Sequence, residues 1–176
     1  AMCNLSEPSL KEETYSPTID PHMAIKIAEL FSEDSVEKIL SQFYTKANVC
    51  SYSFTKQLAE TLIAEGHEKL KLPMVICRPV LLTRSYKNPD SGWINRSNFI
   101  VHIERACLYG MVKTVNFHES ESCSVIPADK AINNIMICTW KYLTSAASHL
   151  EVVNFDCYQV ELGTIFEKVS LLLVKQ

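Results

Sequence analysis

The chain has 176 residues, 47% of them hydrophobic, which is the size and composition of one globular domain or a large part of one. Its formal charge of -3, its pI near 6.0 and the lack of a Lys/Arg cluster argue against nucleic acid and against a basic membrane-binding face. No stretch approaches the roughly 18 apolar residues that a membrane span needs.

The cysteines and glycines narrow the chemistry further. Seven cysteines, with no CxxC pair and no signal peptide, indicate reduced intracellular thiols, and no metal site is expected. Four glycines form no GxGxxG or GxxxxGK pattern, so we expect no phosphate-binding loop within this sequence. The abrupt opening on Ala1-Met2-Cys3-Asn4 leads us to expect that an upstream portion is missing.

The N-terminal part predicts a loop followed by two helices. Residues 1–20 contain Pro8, Pro17 and many polar residues without a period, and predict a surface loop. Pro21 after Asp20 begins a helix that ends near Phe31. Ser32 or Ser35 then caps a second helix. Its apolar residues recur at helical spacing: Val36, Ile39, Leu40 and Phe43.

The strongest amphipathic helix is predicted from Asn48 to about Glu65, where Gly66 and His67 end the period. Tyr52 and Lys56 are four residues apart, so a helix places both side chains on one face. The same stripe continues with small or apolar residues: Thr55, Leu58, Ala59, Leu62 and Ile63. We therefore expect the pair to face inward or into a cleft.

A tyrosine beside a lysine can carry acid catalysis. A nearby cation lowers the pKa of a phenol, and Lys56 would be that cation, with the positive end of the helix dipole acting in the same direction. Such a tyrosine can protonate an oxyanion as a hydride reaches a carbonyl carbon. The spacing alone is also typical of an ordinary pair on a helix face, so the pattern needs its context.

After this helix, Leu72 to Cys77 form a short apolar run that predicts a buried parallel strand. Helix, turn and buried strand are the rhythm of an α/β doubly wound fold, whose ligands lie at the carboxyl ends of the strands. Here that end is Arg78-Pro79-Val80. The segment from Thr83 to Gly92 predicts a loop.

The second half predicts a substrate-side region and closing helices. Residues 99–112 predict a helix, and residues 117–123 a polar exposed segment whose His118 is more simply a solvated histidine than a metal ligand or base. Ser124 to Pro127 lead into a helix with Asp129 in its first turn. Its helical stripe consists of Ile132, Ile135, Met136, Trp140 and Leu143. Trp140 is expected in the core or a cleft wall.

Two further elements complete the sequence. Glu151 to Phe155 predict a strand, and Leu162 to Leu173 a last helix whose apolar stripe lies in the core or meets a partner. Two strand candidates are few for a doubly wound sheet, so some apolar side chains are expected to stay partly exposed. These are Leu58, Leu62, Val75, Ile135 and Trp140.

In order, these segments resemble the alcohol-forming fatty acyl-CoA reductases, an extended short-chain dehydrogenase family. Tyr52-Ser53-Phe54-Thr55-Lys56-Gln57-Leu58-Ala59-Glu60 is similar to the family's Tyr-Thr-Phe-Thr-Lys-Ala-Leu-Ala-Glu helix. Further matches follow in order and spacing. They are Ala1 to Asn4, Leu72-Pro73 through Arg78-Pro79, Gly92-Trp93-Ile94, and Ile126-Pro127-Ala128-Asp129 to Trp140.

The resemblance implies the C-terminal part of one Rossmann-like NAD(P)-binding domain with a parallel sheet. Its divisions would be a loop over residues 1–20, the catalytic helix and strand over 48–80, a substrate-side region over 81–123, and closing elements over 124–176. Tyr52 would donate the proton, and Lys56 would hold the nicotinamide ribose. The backbone of Pro79 and Val80 would lie near the nicotinamide of NADPH.

The implied reaction is reduction of long-chain acyl-CoA, through the aldehyde, to a primary alcohol. The resemblance also implies an intracellular protein associated with the endoplasmic reticulum or peroxisome membrane, this segment itself being soluble. Where the family has glycine-rich stretches, this chain has Asn98 to His102 and Ala106 to Gly110, whose bulkier residues should reshape the acyl or CoA passage. A non-catalytic relative that binds lipid or a protein partner, and another extended dehydrogenase such as an epimerase or thioester reductase domain, are the alternatives.

Overall fold

The computed structural model describes residues 10–46, 50–95, 99–112, 114, 118, 120–145, 149–156, 158–161 and 163–164. The chain divides into two compact units. Unit 1 comprises Ala1–Arg78 with Cys138–Asn154, and unit 2 comprises Pro79–Ile137 with Phe155–Gln176. Within the described residues, three helices are followed by five strands that are interleaved with two further helices, which confirms the predicted α/β class.

Unit 1 contains the first three helices, the last part of a fifth helix and most of a two-stranded sheet. The first three helices are α1 (Pro21–Leu30), α2 (Glu33–Lys46) and α3 (Ser51–Leu70), and β1 (Val75–Pro79) pairs with β4 (Glu151–Phe155). The buried core cluster is Ile19, Ala24 and Phe54, with the Tyr44 and Phe54 ring centroids 5.6 Å apart.

The sequence signals that begin α1 and α2 act as predicted. The Asp20 carboxylate accepts a hydrogen bond of 2.8 Å from the His22 backbone N–H, and Pro21 occupies the first helical position. The Ser32 carbonyl accepts from the backbone N–H groups of Ser35 and Val36, both at 2.9 Å. Ser32 is therefore the residue from which α2 starts.

Unit 2 contains β2 (Leu81–Thr83), α4 (Phe99–Leu108), β3 (Ser122–Pro127), the first part of α5 (Ala128–Thr144) and β5 (Tyr158–Glu161). β2 pairs in parallel with β3, in a register that places Thr83 opposite Pro127. β3 pairs on its other side with β5 in the antiparallel direction. The parallel pair agrees with a Rossmann-like sheet, and β5 adds an antiparallel edge.

One predicted element boundary is wrong. α3 passes through Gly66 and His67 and ends at Leu70, and its C-cap Lys71 takes the left-handed conformation with φ of 54°. A glycine inside a helix costs about 1 kcal/mol relative to alanine, a penalty that the rest of α3 outweighs. Ser124 to Pro127 lead directly into α5, as predicted, but they do so as the end of β3, which pairs with β2 on one side and β5 on the other.

The predicted apolar stripe of α5 is not buried. Its members are exposed by 37% to 70%: Ile132, Ile135, Met136, Trp140 and Leu143. The placement of Trp140 in the core or a cleft wall is therefore wrong, whereas the partial exposure expected for Ile135 and Trp140 is confirmed. The side chains that α5 buries are instead Asp129, Ala131 and Tyr142.

The other predicted elements either are present in the structure or lie mostly outside the described residues. The strand predicted within residues 72–77 is present as Val75–Pro79, and the strand at 151–155 and the helix beginning at residue 99 are confirmed. Three strands were not predicted, namely β2, β3 and β5. Most of the last predicted helix, Leu162 to Leu173, lies outside the described residues. Within the part of the chain that is described, no helix combines the length and apolarity needed to cross a membrane.

Candidate active site

The Tyr52 and Lys56 pair lies in the first turns of α3. The helix begins at Ser51, and the carbonyl of the preceding Cys50 accepts the first helical hydrogen bond from the Phe54 backbone N–H at 3.0 Å. The Lys56 Nζ atom is 5.4 Å from the centroid of the Tyr52 ring. The predicted spacing thus brings a phenol and an ammonium together on one face.

This face is exposed, which corrects the expectation that the pair points inward. Tyr52 is 56% exposed, whereas Ser53 is 2% and Phe54 3% exposed. Ser53, Phe54 and Glu60 lie on the side of α3 that faces the core. Tyr52 lies on the side that faces solvent. Among the described residues, the Tyr52 hydroxyl and the Lys56 ammonium form no hydrogen bond or ion pair. Both groups are available to a ligand.

Cys50 stands at the start of the same helix and was not singled out from the sequence. Its Sγ is 3.3 Å from the Ser53 Oγ, and this hydrogen bond, with the backbone N–H of Ser53, lowers the pKa of the Cys50 thiol. The thiol is reduced, as are Cys77, Cys107, Cys123 and Cys138. The predicted free thiols are confirmed for these five, while Cys3 and Cys157 lie outside the described residues.

A buried ion pair fixes α3 against β1. The Arg78 Nε donates to Glu60 Oε1 at 2.9 Å, and the Arg78 Nη2 donates to Glu60 Oε2 at 2.6 Å. Arg78 is 5% exposed and Glu60 9% exposed. A two-point contact of this kind sets both the distance and the orientation of the groups it joins. It therefore fixes the position of α3 relative to β1 at Arg78.

The same guanidinium also holds the N-terminal segment. Its Nη1 donates to the Lys11 carbonyl at 3.0 Å and its Nη2 to the Glu13 carbonyl at 2.8 Å, while its Cζ lies 5.7 Å from the centroid of the Tyr15 ring. Each nitrogen of Arg78 thus has an acceptor, as a buried charge requires. Sequence reasoning identified Arg78 only as a strand end and Glu60 only as part of a motif.

Pro79 and Val80 follow Arg78 at the end of β1. Pro79 is the last residue of the strand, and the Val80 backbone N–H donates to the Phe155 carbonyl at 3.1 Å. Any backbone contact from Val80 to a ligand would therefore come from its carbonyl. Tyr52 and Lys56 belong to unit 1, and Pro79 and Val80 to unit 2. Tyr52 and Lys56 therefore lie close together in unit 1, and Pro79 and Val80 are consecutive residues in unit 2.

A separate cavity of about 470 Å³ lies in unit 1. Its lining comes from the segment at 12–14, the C-terminal end of α3 and the residues leading into β4. The polar members are Glu12, Glu13, Thr14, His67, Glu68, Lys71 and His149. Neither Tyr52 nor Lys56 lines it. No group of three metal-ligating side chains occurs in the described ranges, and His118 is exposed, as predicted.

Helix α3 of this α/β chain carries Tyr52 and Lys56. Comparison with known proteins identifies the family to which the chain belongs. A family model of NAD-binding domains matches residues 1–135. The family is described as male sterility protein, and the chain belongs to it.

The curated relatives carry the name fatty acyl-CoA reductase. The chain is 28% identical over 155 residues to fatty acyl-CoA reductase 1 of Xenopus laevis, covering 88% of this chain and 29% of that protein. The human fatty acyl-CoA reductase 1 gives the same identity and coverage. Fatty acyl-CoA reductase wat of Drosophila melanogaster is 25% identical over 140 residues, covering 80% and 26%. The chain thus spans less than a third of the length of these relatives.

Among solved structures, the chain is similar to a UDP-N-acetylglucosamine 4-epimerase from Methanobrevibacter ruminantium M1. The TM-score is 0.45 and the sequence identity 20%, over 72% of this chain and 38% of the epimerase chain.

Proposed function

We propose that the protein containing this chain reduces long-chain fatty acyl-CoA to a primary alcohol with NADPH. The observation that carries the proposal is the exposed pair of Tyr52 and Lys56, with the ammonium 5.4 Å from the phenol ring, on a chain of this family. Association with the endoplasmic reticulum or peroxisome membrane, where long-chain alcohols partition, is part of the proposal.

The Lys56 side chain has the chemistry to bind the ribose at the nicotinamide end of the cofactor. An exposed ammonium without an ion-pair partner among the described residues can donate hydrogen bonds to ribose hydroxyls, which gives Lys56 its binding role. The carbonyl side of Pro79 and Val80 would face the nicotinamide. The cofactor, when bound, supplies the hydride. No glycine-rich loop for its diphosphate occurs in this sequence.

The Tyr52 hydroxyl acts on the substrate oxygen. As hydride reaches the thioester carbon, the carbonyl oxygen gains negative charge, and Tyr52 donates a hydrogen bond and then its proton. The Tyr52 phenolate then takes back the hydroxyl proton as the hemithioacetal collapses to the aldehyde, the C–S bond breaks and CoA leaves as the thiolate, which is protonated by solvent. A second hydride addition to the aldehyde needs the same proton donor and gives the alcohol. In both steps the Lys56 charge stabilises the phenolate that Tyr52 leaves.

Tyr52→Phe tests this role, because phenylalanine keeps the ring and removes the hydroxyl. With the protein expressed from its full transcript, turnover of palmitoyl-CoA and NADPH should fall by about 10² or more. Tyr109→Phe is the matched control, since Tyr109 is also exposed and has the Arg105 guanidinium 6.0 Å from its ring. Equal turnover in the two variants would mean that Tyr52 is an ordinary helix-face tyrosine. A wild-type protein without any turnover would favour a non-catalytic relative.

Lys56→Met tests the second member of the pair. We expect both weaker NADPH binding, measured by nucleotide fluorescence, and a lower turnover number, because one ammonium serves both functions. Lys69→Met removes the same charge from the same helix, where Lys69 pairs with Glu65 at 3.3 Å, and should change neither quantity. An effect of Lys56→Met no larger than that of Lys69→Met would contradict its assignment.

A further inference from the structure

The loop that follows β2 has a closed base. The Ser85 backbone N–H donates to the Trp93 carbonyl at 2.8 Å, and the Gly92 N–H donates to the Ser85 carbonyl at 2.8 Å. Gly92 has φ of 84°, a conformation that favours glycine, and Ser85 is 4% exposed. These contacts hold the two ends of the loop together. The Trp93 backbone therefore lies next to Ser85, the residue before Tyr86.

A buried carboxylate holds the outer part of this loop. The Asp129 side chain accepts hydrogen bonds from the backbone N–H groups of Tyr86, Lys87 and Asn88 at 2.9, 2.9 and 3.2 Å. It also accepts from the Lys130 backbone N–H at 3.1 Å. This N–H donor in the first turn of α5 is thus satisfied by a side chain of the same helix. The loop backbone is therefore fixed from Tyr86 to Asn88.

The fixed loop presents cations and aromatic rings to solvent. The Lys87 Nζ is 5.3 Å and the Lys130 Nζ 5.5 Å from the centroid of the Tyr86 ring, which is 57% exposed. Trp93, at the other end of the loop, is 51% exposed. Neither lysine has an ion-pair partner within the described ranges. Two ammonium groups thus share one aromatic face and form a patch of two cations.

This patch lies where α/β proteins bind ligands. Thr83 ends β2 and Pro127 ends β3, and the two residues are opposite each other in the parallel register. The loop leaves the carboxyl end of β2, and α5 leaves the carboxyl end of β3, so Lys87 and Lys130 meet at the carboxyl edge of the parallel pair. Ligands of open α/β sheets bind at such edges.

We propose that Lys87, Lys130 and Trp93 bind a phosphorylated adenosine, with the lysines on the phosphate and the indole stacked on the adenine. Ammonium groups suit phosphate as point charges, and a purine stacks on an exposed aromatic ring with a gain of about 1–3 kcal/mol. This chemistry is present in the 3′-phosphoadenosine of coenzyme A and in the 2′-phosphoadenosine of NADPH. The proposal rests on the proposed function, because both carriers take part in that reaction.

The test titrates adenosine 3′,5′-bisphosphate and adenosine 2′,5′-bisphosphate into the full-length protein by calorimetry. The variant Lys87→Gln/Lys130→Gln should weaken binding of the preferred probe by about tenfold or more. The control Lys26→Gln/Lys38→Gln removes the same charge from exposed positions on α1 and α2 and should leave binding within about twofold. Tighter binding of the 3′ probe would assign the site to coenzyme A, and tighter binding of the 2′ probe would assign it to NADPH.

The stacking role is tested separately. Trp93→Ser should weaken probe binding about tenfold, while Trp93→Phe should retain most of it, because phenylalanine keeps an aromatic face. Equal affinity in wild type and Lys87→Gln/Lys130→Gln would overturn the proposal. Tyr52→Phe separates it from the reductase assignment, since that variant should bind the probe normally while losing turnover.

Discussion

Helices α3 and α5 are both long, carry regular apolar positions and bury one carboxylate each, but they expose different kinds of side chain. α3 buries a carboxylate, Glu60, beside Phe54, and exposes the tyrosine and lysine of the candidate site. α5 buries Asp129 at its start and exposes much of its apolar stripe, with Trp140 68% exposed. Helical spacing identifies the residues that share a face. The partners that neighbouring elements supply decide which face is buried.

Breaking the ion pair of Glu60 and Arg78, which anchors α3, should have the largest effect on stability. Substitution of either residue alone should break it. Arg78→Met should destabilise the protein by about 3–5 kcal/mol, because it leaves the Glu60 carboxylate buried without its partner. Urea unfolding followed by circular dichroism measures this loss. The double variant Glu60→Met/Arg78→Met should recover most of it, since two apolar side chains leave no unpaired charge.

The exposed pair on the same helix provides the control for this prediction. Glu65 and Lys69 also bond on α3, at 3.3 Å, but the lysine side chain is 69% exposed. Lys69→Met should therefore change the free energy of unfolding by no more than about 0.5 kcal/mol. If Arg78→Met cost as little as Lys69→Met, the buried ion pair would not be the anchor of α3.

The carboxylate at the start of α5 predicts a pH effect of intermediate size. Hydrogen bonds from the backbone N–H groups of Tyr86, Lys87, Asn88 and Lys130 lower the pKa of Asp129 from 3.8 to about 2. Because the folded pKa lies below the unfolded one, this stabilisation is present above pH 4 and is lost as pH falls through 2. The difference in unfolding midpoint between wild type and Asp129→Asn should therefore shrink over that window.

A direct local measurement sharpens the same prediction. Amide exchange at Tyr86, Lys87 and Asn88 should accelerate in Asp129→Asn at pH 5, since a neutral amide accepts these hydrogen bonds more weakly than a carboxylate. Unchanged protection at all three amides would contradict the account of how the loop is fixed.

The exposed stripe of α5 predicts the smallest effect. Trp140→Gln should change the free energy of unfolding of this chain by no more than about 0.5 kcal/mol, because the indole is mostly in solvent. Tyr142→Ala, on the same helix but 5% exposed, should cost about 3 kcal/mol or more. A loss of similar size at Trp140 would restore the original prediction that it is a core residue.

The sequence predicted those elements whose signals are local. Pro21 after Asp20, the serine before α2 and the acid in the first turn of α5 each mark a helix start that the structure contains. β1 was recognisable as an apolar run. β2, with three residues, and β5, with the sequence Tyr-Gln-Val-Glu, are too short for a period to emerge, and they depend on pairing with β3.

The candidate site was predictable in its residues but not in its surroundings. The spacing of Tyr52 and Lys56 gave their shared face correctly, because that depends only on the helix. Their exposure depends on Glu60 turning inward to meet Arg78, a residue 18 positions later on another element. Periodicity treats a glutamate as a solvent residue, so it cannot anticipate a carboxylate buried by a distant partner.

The contact of Glu60 with Arg78 also constrains how the sequence can change over time. Loss of either charge alone leaves the other stranded in the interior, so intermediates on the way to a different pair would be selected against. Relatives should therefore keep both residues or replace both together. Positions 60 and 78 should therefore vary together across homologues, and this covariation would reveal their contact from sequences alone.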